Sequence, residues 1–208
     1  MNYKYLLTLL VFFTIVTSCK KSGRIPDDPQ QGTITFAADE SFRSVSEALS
    51  ERYMALNPKT KINLIIKKED LAFMDLLENK VRVIVMSREL NDKEKAAYKS
   101  KIDMEMLPAK FAADAVVFVV PKNSTRTSIS IDELKAELSS DQKNIIFDGT
   151  NSSNLNFVAQ KLKTIPNQLK FSIINGNKNL INEMNKFPDK IGVVSLNSIS
   201  RPSDKESQ

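Results

Sequence analysis

Three turns in the sequence combine serine hydroxyls with the first residues of an expected helix. They read Asp39-Glu40-Ser41-Phe42, Met86-Ser87-Arg88 and Asp148-Gly149-Thr150-Asn151-Ser152-Ser153, and each follows a short apolar run. Backbone N–H groups at a helix start are unpaired and partially positive, so together with hydroxyls they can bind an oxyanion. The same residues are also ordinary helix N-caps, and spacing alone favours that simpler interpretation.

The rest of the composition argues against covalent chemistry. The chain has no histidine, which removes the commonest general base and most transition-metal sites. Its one cysteine is Cys19, and with five glycines it contains neither a GxxxxGK[ST] nor a GxGxxG phosphate loop. We therefore expect no enzyme, no metal and no cofactor. An enzyme that uses the carboxylates of Asp39 and Asp148 is the least favoured hypothesis.

The charge distribution does not indicate nucleic-acid binding. The formal net charge is +5, but the 30 basic residues are scattered among 25 acidic ones. The sequence has no basic stripe with interleaved aromatic residues, which nucleic-acid binding would favour. A mildly basic surface would instead attract small anions.

The three turns are joined by alternating strands and helices. Apolar periodicity predicts strands at 33–38, 61–67, 81–86, 104–109, 113–120, 144–147 and 191–195, and helices at 42–56, 70–79, 92–100, 131–138, 154–163 and 179–185. Strands separated by helices favour a mostly parallel α/β sheet. The turns would then converge at the carboxyl ends of the strands, where ligands bind in open α/β sheets.

The N-terminus has the pattern of an export signal. A short basic start is followed by an apolar run from Leu6 to Val16, shorter than the roughly 20 residues that a membrane span needs. The residues Val16-Thr17-Ser18-Cys19 resemble the lipobox of bacterial lipoproteins. We expect a signal peptide over 1–18, a lipid on Cys19, a flexible tether over 19–31 and a polar tail over 197–208. The protein would be exported and anchored to a membrane, facing the periplasm or the cell exterior.

Several motifs, in order, resemble one known family. DESFR follows the first strand, ALNPK ends the first helix, MSREL follows the third strand, and AVVFVVPKNS and FDGTNSSN come later. This arrangement resembles the lipoprotein branch of the phosphate-binding subunits of phosphate ABC importers, which are type II periplasmic binding proteins, over residues 32–196. The resemblance implies a two-lobed α/β fold, with a first lobe at 32–120 and a second at 121–196. It also implies phosphate as the ligand and a membrane permease as the partner.

The resemblance also implies a set of ligand-binding residues. Ser41 and Phe42 match the first loop of the family, which offers a hydroxyl and a backbone N–H. Ser87 matches the hydroxyl donor of the second loop. The run Asn151-Ser152-Ser153 stands in place of the family's Ser-Gly-Thr loop, without its glycine. A side chain at that position would reshape the grip on the anion.

The sequence departs from the family beside Ser87. Arg88 stands where the family has an aspartate that accepts a proton from the ligand, and an arginine can only donate. Arg88 would add charge-assisted bonds to any oxyanion. Asp39 could replace the missing acceptor, although a helix-capping carboxylate is the plainer interpretation.

The two leading functional hypotheses differ in whether the cleft binds anything. The first is a lipid-anchored solute-binding protein that captures phosphate or a similar oxyanion for an ABC importer. The alternative is a degenerate relative that serves as a surface scaffold or sensor and binds no phosphate. The family also has a longer segment after the last strand than this sequence. We therefore expect an uncovered apolar face on the first lobe, or a shortened chain.

Overall fold

The computed structural model describes residues 30–200 of the protein. The described residues form the strands β1 (Gln31–Ala38), β2 (Lys59–Ile66), β3 (Val83–Val85), β4 (Val116–Val119), β5 (Ile145–Phe147), β6 (Ser172–Ile173) and β7 (Ile191–Ser195). The α-helices are α1 (Arg43–Leu56), α2 (Glu69–Leu77), α3 (Asp92–Ile102), α4 (Ile131–Glu137), α5 (Ser153–Lys161), α6 (Asn177–Glu183) and α7 (Leu196–Ile199). The predicted signal peptide, the lipid on Cys19, most of the tether and the tail from 201 lie outside these residues.

The first sheet is wholly parallel, with the strand order β2-β1-β3. Its central strand β1 starts at Gln31, which pairs with Lys59, so the folded body begins at the last residue assigned to the tether. Each strand is a short β-branched run followed by a helix, which is the sequence pattern that favours parallel pairing. The carboxyl ends of β1, β2 and β3 consequently lie side by side.

One face of the first sheet is covered by α2. Its buried core comprises Ala37, Ala72, Phe73, Leu76, Val81 and Leu90. The helix contributes every third or fourth residue to this core, as a helix lying on a sheet should. Packing of α2 fixes where its first residue, Glu69, meets the end of β1.

The other face of the first sheet is partly open. Residues of the three strands, together with Tyr53 from α1, line a groove of about 600 Å³, whose apolar wall is formed by Ile34, Phe36, Ile62, Val83 and Val85. Val83 is 46% exposed.

The second sheet has the order β4-β7-β5-β6. β5 runs parallel to both β6 and β7, and β4 pairs antiparallel with β7. All five residues of β7 are buried, because the strand lies between two neighbours and has apolar clusters on both faces. The two mostly parallel sheets with flanking helices confirm the predicted α/β fold class.

Two strand predictions near the lobe boundary need correction. Residues 104–109 do not form a strand, since Pro108 lacks an N–H donor and Leu107 is 84% exposed. The sequence places β4 in the first lobe, but its pairing with β7 joins it to the second sheet. A boundary between lobes is therefore better proposed before Val116 than at 120.

No candidate for a membrane-spanning helix occurs in the described part of the chain. Among residues 30–200, none of the helices is both long enough and apolar enough to cross a bilayer.

Gly192 in β7 provides a test of the packing of the second sheet. A Cβ at this position would contact Leu180 and would lie 2.8 Å from both Met184 Sδ and Val119 Cγ2. We expect Gly192→Ala to lower the free energy of unfolding by about 1–3 kcal/mol, as overpacking of a core does. Urea denaturation measures the change. Ala96→Leu on the exposed side of α3 adds more volume, yet should change stability by only about 0.5 kcal/mol.

Candidate functional site

Four strand-to-helix turns, three from the first sheet and one from the second, meet at one place. Asp39 follows β1, Lys68 and Glu69 follow β2, Ser87 follows β3, and Ser153 follows β5. The first three turns come together because β1, β2 and β3 are parallel neighbours. Ser153 arrives from the other sheet, 114 residues from Asp39 along the chain.

The centre of this site is the carboxylate of Asp39, which is fully buried. Its Oδ1 accepts hydrogen bonds from Ser41 N at 3.0 Å and from Ser153 Oγ at 2.9 Å. Its Oδ2 accepts from Glu69 N at 3.1 Å and from Ser153 N at 3.4 Å. Asp39 caps the short 3-10 turn Glu40–Phe42, as the simpler interpretation predicted, but three of its four donors come from other turns.

Ser41 lies beside Asp39 and is 1% exposed. Its hydroxyl is 3.0 Å from Ser153 Oγ and accepts a bond from Asn177 Nδ2 at 3.1 Å. Phe42 takes part only through its backbone, because its N–H donates to Asp39 O within the turn at 2.9 Å. Of the first predicted loop, the serine therefore reaches the centre of the site and the phenylalanine closes the turn.

Glu69 forms a second buried carboxylate next to Asp39. It accepts hydrogen bonds from Ser87 N at 2.8 Å, Ser87 Oγ at 2.9 Å and Asn156 Nδ2 at 3.2 Å. Ser87 Oγ also lies 3.1 Å from Ser153 O. Ser87 thus connects the two sheets, but both of its donor groups are engaged by Glu69.

Arg88 does not face Asp39, contrary to its predicted role as an anion ligand. Its Nε lies 3.0 Å from Glu69 Oε1, and its two terminal nitrogens each lie 2.8 Å from a carboxylate oxygen of Glu94. Asp70 is 3.6 Å away, and the arginine side chain is 8% exposed. The guanidinium is held by three carboxylates, because ion pairing offsets the cost of burying its charge.

The residues of the third predicted loop have two different roles. Ser152 Oγ accepts from Leu155 N at 3.4 Å and donates to Gly149 O at 3.2 Å, so Ser152 caps α5 and does not contact Asp39. Asn151 lies beside α2, where its carbonyl is 3.5 Å from Asp70 N. Ser153 alone brings this loop to the centre of the site. Of the serines in the three predicted turns, Ser41, Ser87 and Ser153 come together, whereas the hydroxyl of Ser152 does not bond to them.

Lys68 and Asp148 form an ion pair at the edge of the site. Lys68 Nζ lies 3.0 Å from Asp148 Oδ2 and donates to Asp148 O at 2.8 Å. Asn154 Nδ2 donates to Asp148 Oδ1 at 3.1 Å and to Asn177 Oδ1 at 2.9 Å. A Cβ on Gly149 would lie 2.9 Å from Lys68 Cε, so this glycine leaves the space that the lysine occupies.

Lys68, Glu69 and Asn177 belong to the site although the sequence did not single them out. The first two were within reach of sequence reasoning, because Lys67-Lys68-Glu69-Asp70 is a strand-to-helix junction of the same kind as the other three. In a parallel sheet the end of β2 must lie beside the end of β1. Asn177 had no such signal, since the two-residue strand β6 that positions it is too short to recognise in the sequence.

Burial raises the pKa of both central carboxyls. Desolvation raises the pKa of Asp39, and nearby Asp148 adds to the rise, while the Ser41 N–H and Lys68 oppose it. Desolvation likewise raises the pKa of Glu69 against the Ser87 N–H and Arg88. Glu94 is also partly desolvated, but its bonds from Arg88 and Asn91 leave its pKa below the ordinary value.

The raised pKa values predict that stability falls as the pH rises. A carboxyl whose pKa is higher in the folded state binds more protons when folded, so its contribution is present at low pH and is lost as the pH rises through the folded pKa. We expect the contributions of Asp39 and Glu69 to the free energy of unfolding to decrease from about pH 4 upward, whereas Glu94, Glu133 and Asp141, with lowered pKa values, contribute in the opposite direction. Urea denaturation across pH 4–8 measures this slope, and Asp39→Asn and Glu69→Gln should each reduce it. Glu133 is the control, because hydrogen bonds from Ser130 lower its pKa. Glu133→Gln should therefore change the slope in the opposite direction.

Loss of Arg88 should be far more costly than loss of a surface cation. Arg88→Gln leaves the Glu69 carboxylate buried without its cation, which we expect to cost about 3–5 kcal/mol of unfolding free energy. Lys80→Gln removes a pair with Glu78 and a longer one with Asp75, but the lysine is 63% exposed, so the free energy of unfolding should change little. Equal losses in urea denaturation would contradict the structural role of Arg88.

The fold is shared with several solved structures. A protein from Clostridium perfringens, described as a phosphate ABC transporter substrate-binding protein and crystallised with phosphate, has a TM-score of 0.68 at 15% identity, over 85% of this chain and 73% of that one. An ABC-type phosphate transport receptor from Vibrio cholerae has a TM-score of 0.58 at 15% identity, over 84% and 74%. A cysteine-to-serine mutant of the OxyR2 regulatory domain from Vibrio vulnificus has a TM-score of 0.59 at 12% identity, over 89% and 81%.

The family follows from the sequence match. No curated protein matches the chain closely enough to serve as a relative. A family model described as the PBP superfamily domain matches residues 26–206, which is most of the chain. The solved structures, all at low identity, share its arrangement of mostly parallel sheets flanked by helices. The chain therefore belongs to the PBP superfamily and has the α/β fold of the type II periplasmic binding proteins.

Proposed function

We propose that the protein is a solute-binding protein that captures phosphate or a similar oxyanion between its two sheets for an ABC importer. One observation supports this most directly: four hydrogen-bond donors converge on the two carboxylate oxygens of Asp39. Three of them are backbone N–H groups, which keep their proton at every physiological pH. Convergent amides and one hydroxyl are the means by which folded chains bind small oxyanions.

The remaining groups of the site suit the same ligand. Lys68 supplies positive charge beside the donors, and Asn177 holds the Ser41 hydroxyl in place. Glu69 contributes its N–H to the centre and turns its carboxylate towards Ser87 and Arg88. A free oxyanion bound at this point would replace the Asp39 carboxylate, because both need the same hydrogen-bond donors.

The protein would act by binding and release, without covalent chemistry. Asp39 and Asp148, the carboxylates that an enzyme hypothesis would use, are both fully buried and held by several donors. The chain has no histidine and its one cysteine is Cys19, so neither carboxylate has a partner base or nucleophile of the usual kind. The PBP superfamily is a family of binding proteins, and the arrangement here supports the same role.

Export and anchoring complete the proposal. The signal over 1–18 would direct export, and a lipid on Cys19 would hold the protein to a membrane, facing the periplasm or the cell exterior. The tether would end where β1 begins, so that the binding body is joined to the lipid by the short segment 20–30. The partner would be the permease subunit of the importer.

A scaffold or sensor that binds no phosphate is the second candidate. It is favoured by the contacts of Arg88, whose charge is fully engaged by Glu69, Asp70 and Glu94. A second reason is that the OxyR2 regulatory domain, to which the chain is similar, has the same fold. A stable protein partner recovered with the full-length protein, together with no response to phosphate, would favour this candidate.

Calorimetric titration of the full-length protein with inorganic phosphate tests the leading proposal. We expect saturable binding. Because Asp39 uses the same Ser153 hydroxyl, the contribution of this hydroxyl is measured in the Asp39→Ala variant. There Ser153→Ala should weaken binding by about tenfold to a hundredfold, since hydrogen bonds to a charged group contribute about 1.5–3 kcal/mol. Ser139→Ala, at an exposed serine just after α4, is the matched control and should leave the affinity unchanged. Absence of heat at high protein concentration would argue for the scaffold, and equal affinities for both variants would place phosphate elsewhere.

A further inference from the structure

The charge of Asp39 is stabilised mainly by hydrogen-bond donors. Lys68 acts on this carboxylate from a distance but pairs directly with Asp148, whose own charge repels Asp39. The groups in contact with Asp39 are the amides of Ser41, Glu69 and Ser153 and the hydroxyl of Ser153. A buried carboxylate held this way has the same surroundings as a bound oxyanion in an amide site.

The donors are shared equally between the two carboxylate oxygens. Oδ1 takes one amide and one hydroxyl, and Oδ2 takes two amides. The first sheet supplies Ser41 and Glu69, and the second supplies Ser153. The carboxylate thus joins the two sheets as a ligand in the cleft would.

We propose that Asp39 is an internal competitor, which occupies the oxyanion site and is displaced when a free ligand binds. This inference rests on the proposed function, because it concerns the regulation of the same site. A tethered carboxylate has a high effective concentration at its own site. The apparent affinity for a free ligand is therefore reduced to the fraction of molecules in which Asp39 has left the site. The ligands that compete best are anions with two oxygens on one atom, such as phosphate or a small carboxylate.

If Asp39 is an internal competitor, its removal should strengthen the binding of a free anion. Asp39→Ala removes the carboxylate and leaves the four donors facing a space of carboxylate size. We expect this variant to unfold at a lower temperature than the wild type and to regain stability when formate is added. We also expect it to bind phosphate at least about tenfold more tightly than the wild type, since its site is no longer occupied from within.

Three proteins serve as controls for the formate effect. The wild type should show a much smaller formate-dependent rise in its melting temperature than Asp39→Ala, because Asp39 competes with formate for the same donors. Asp39→Asn should also show none, since its amide fills the same space without the charge. Asp75→Ala removes another buried aspartate, one that pairs with Lys67 and Lys80 away from the site, and should lose stability without rescue. If Asp39→Ala does not fold in chloride-free buffer, refolding in formate is the measurement, and recovery in formate alone supports the proposal.

The outcomes separate this inference from the proposed function. Rescue of Asp39→Ala by formate, with no phosphate binding by any variant, supports the internal anion and rejects phosphate capture. Equal phosphate affinity in the wild type and Asp39→Ala supports capture and overturns the competitor. No response of Asp39→Ala to formate, whether folded or during refolding, also overturns it.

Discussion

The structure depends on how the charge of Asp39 is kept in the protein interior. A carboxylate transferred from water into a protein loses hydration worth several kcal/mol, which must be replaced by other polar contacts. Here the replacement comes from Ser41, Glu69 and Ser153. These groups can meet only if β1, β2 and β5 end at the same place, so the position of one carboxylate links the topology of both sheets.

The surrounding network follows from this first constraint. Glu69 must stand at the start of α2 to give its amide to Asp39, and its own buried carboxylate then needs donors. Ser87 and Arg88 supply them, which accounts for an arginine in a turn where an acidic residue would crowd Glu69. Glu94 balances the arginine in turn. Arg88 is thus part of the support for the Asp39 carboxylate, two contacts away from it.

The sequence predicted the elements well because strands and helices are set by local patterns. The alternation of apolar runs identified β1, β2, β3 and the parallel arrangement, and with it the convergence of Ser41 and Ser87. It named Asn151, Ser152 and Ser153 together for the third loop and could not tell which of them reaches Asp39, because a one-residue shift at a helix start exchanges the capping position for the first helical residue. The direction of Arg88 depends on Glu69 and Glu94, which lie 19 and 6 positions away. Asn177 reaches Ser41 across 136 residues, and no local pattern encodes such a contact.

The contacts between the sheets explain how a ligand could enter a site that is buried. Besides those of Asp39, they include Gln160 Nε2 to Glu89 O at 3.1 Å, and Asn197 Nδ2 to Ser41 O at 2.9 Å. Water can replace each of these polar bonds at small net cost, whereas an apolar interface would lose its hydrophobic stabilisation on opening. The apolar cores lie within each sheet and its helices, as the separate clusters around Ala37 and Phe147 show. Separation of the sheets would therefore expose the donors without exposing either core, which is the property that displacement of Asp39 by a free anion requires.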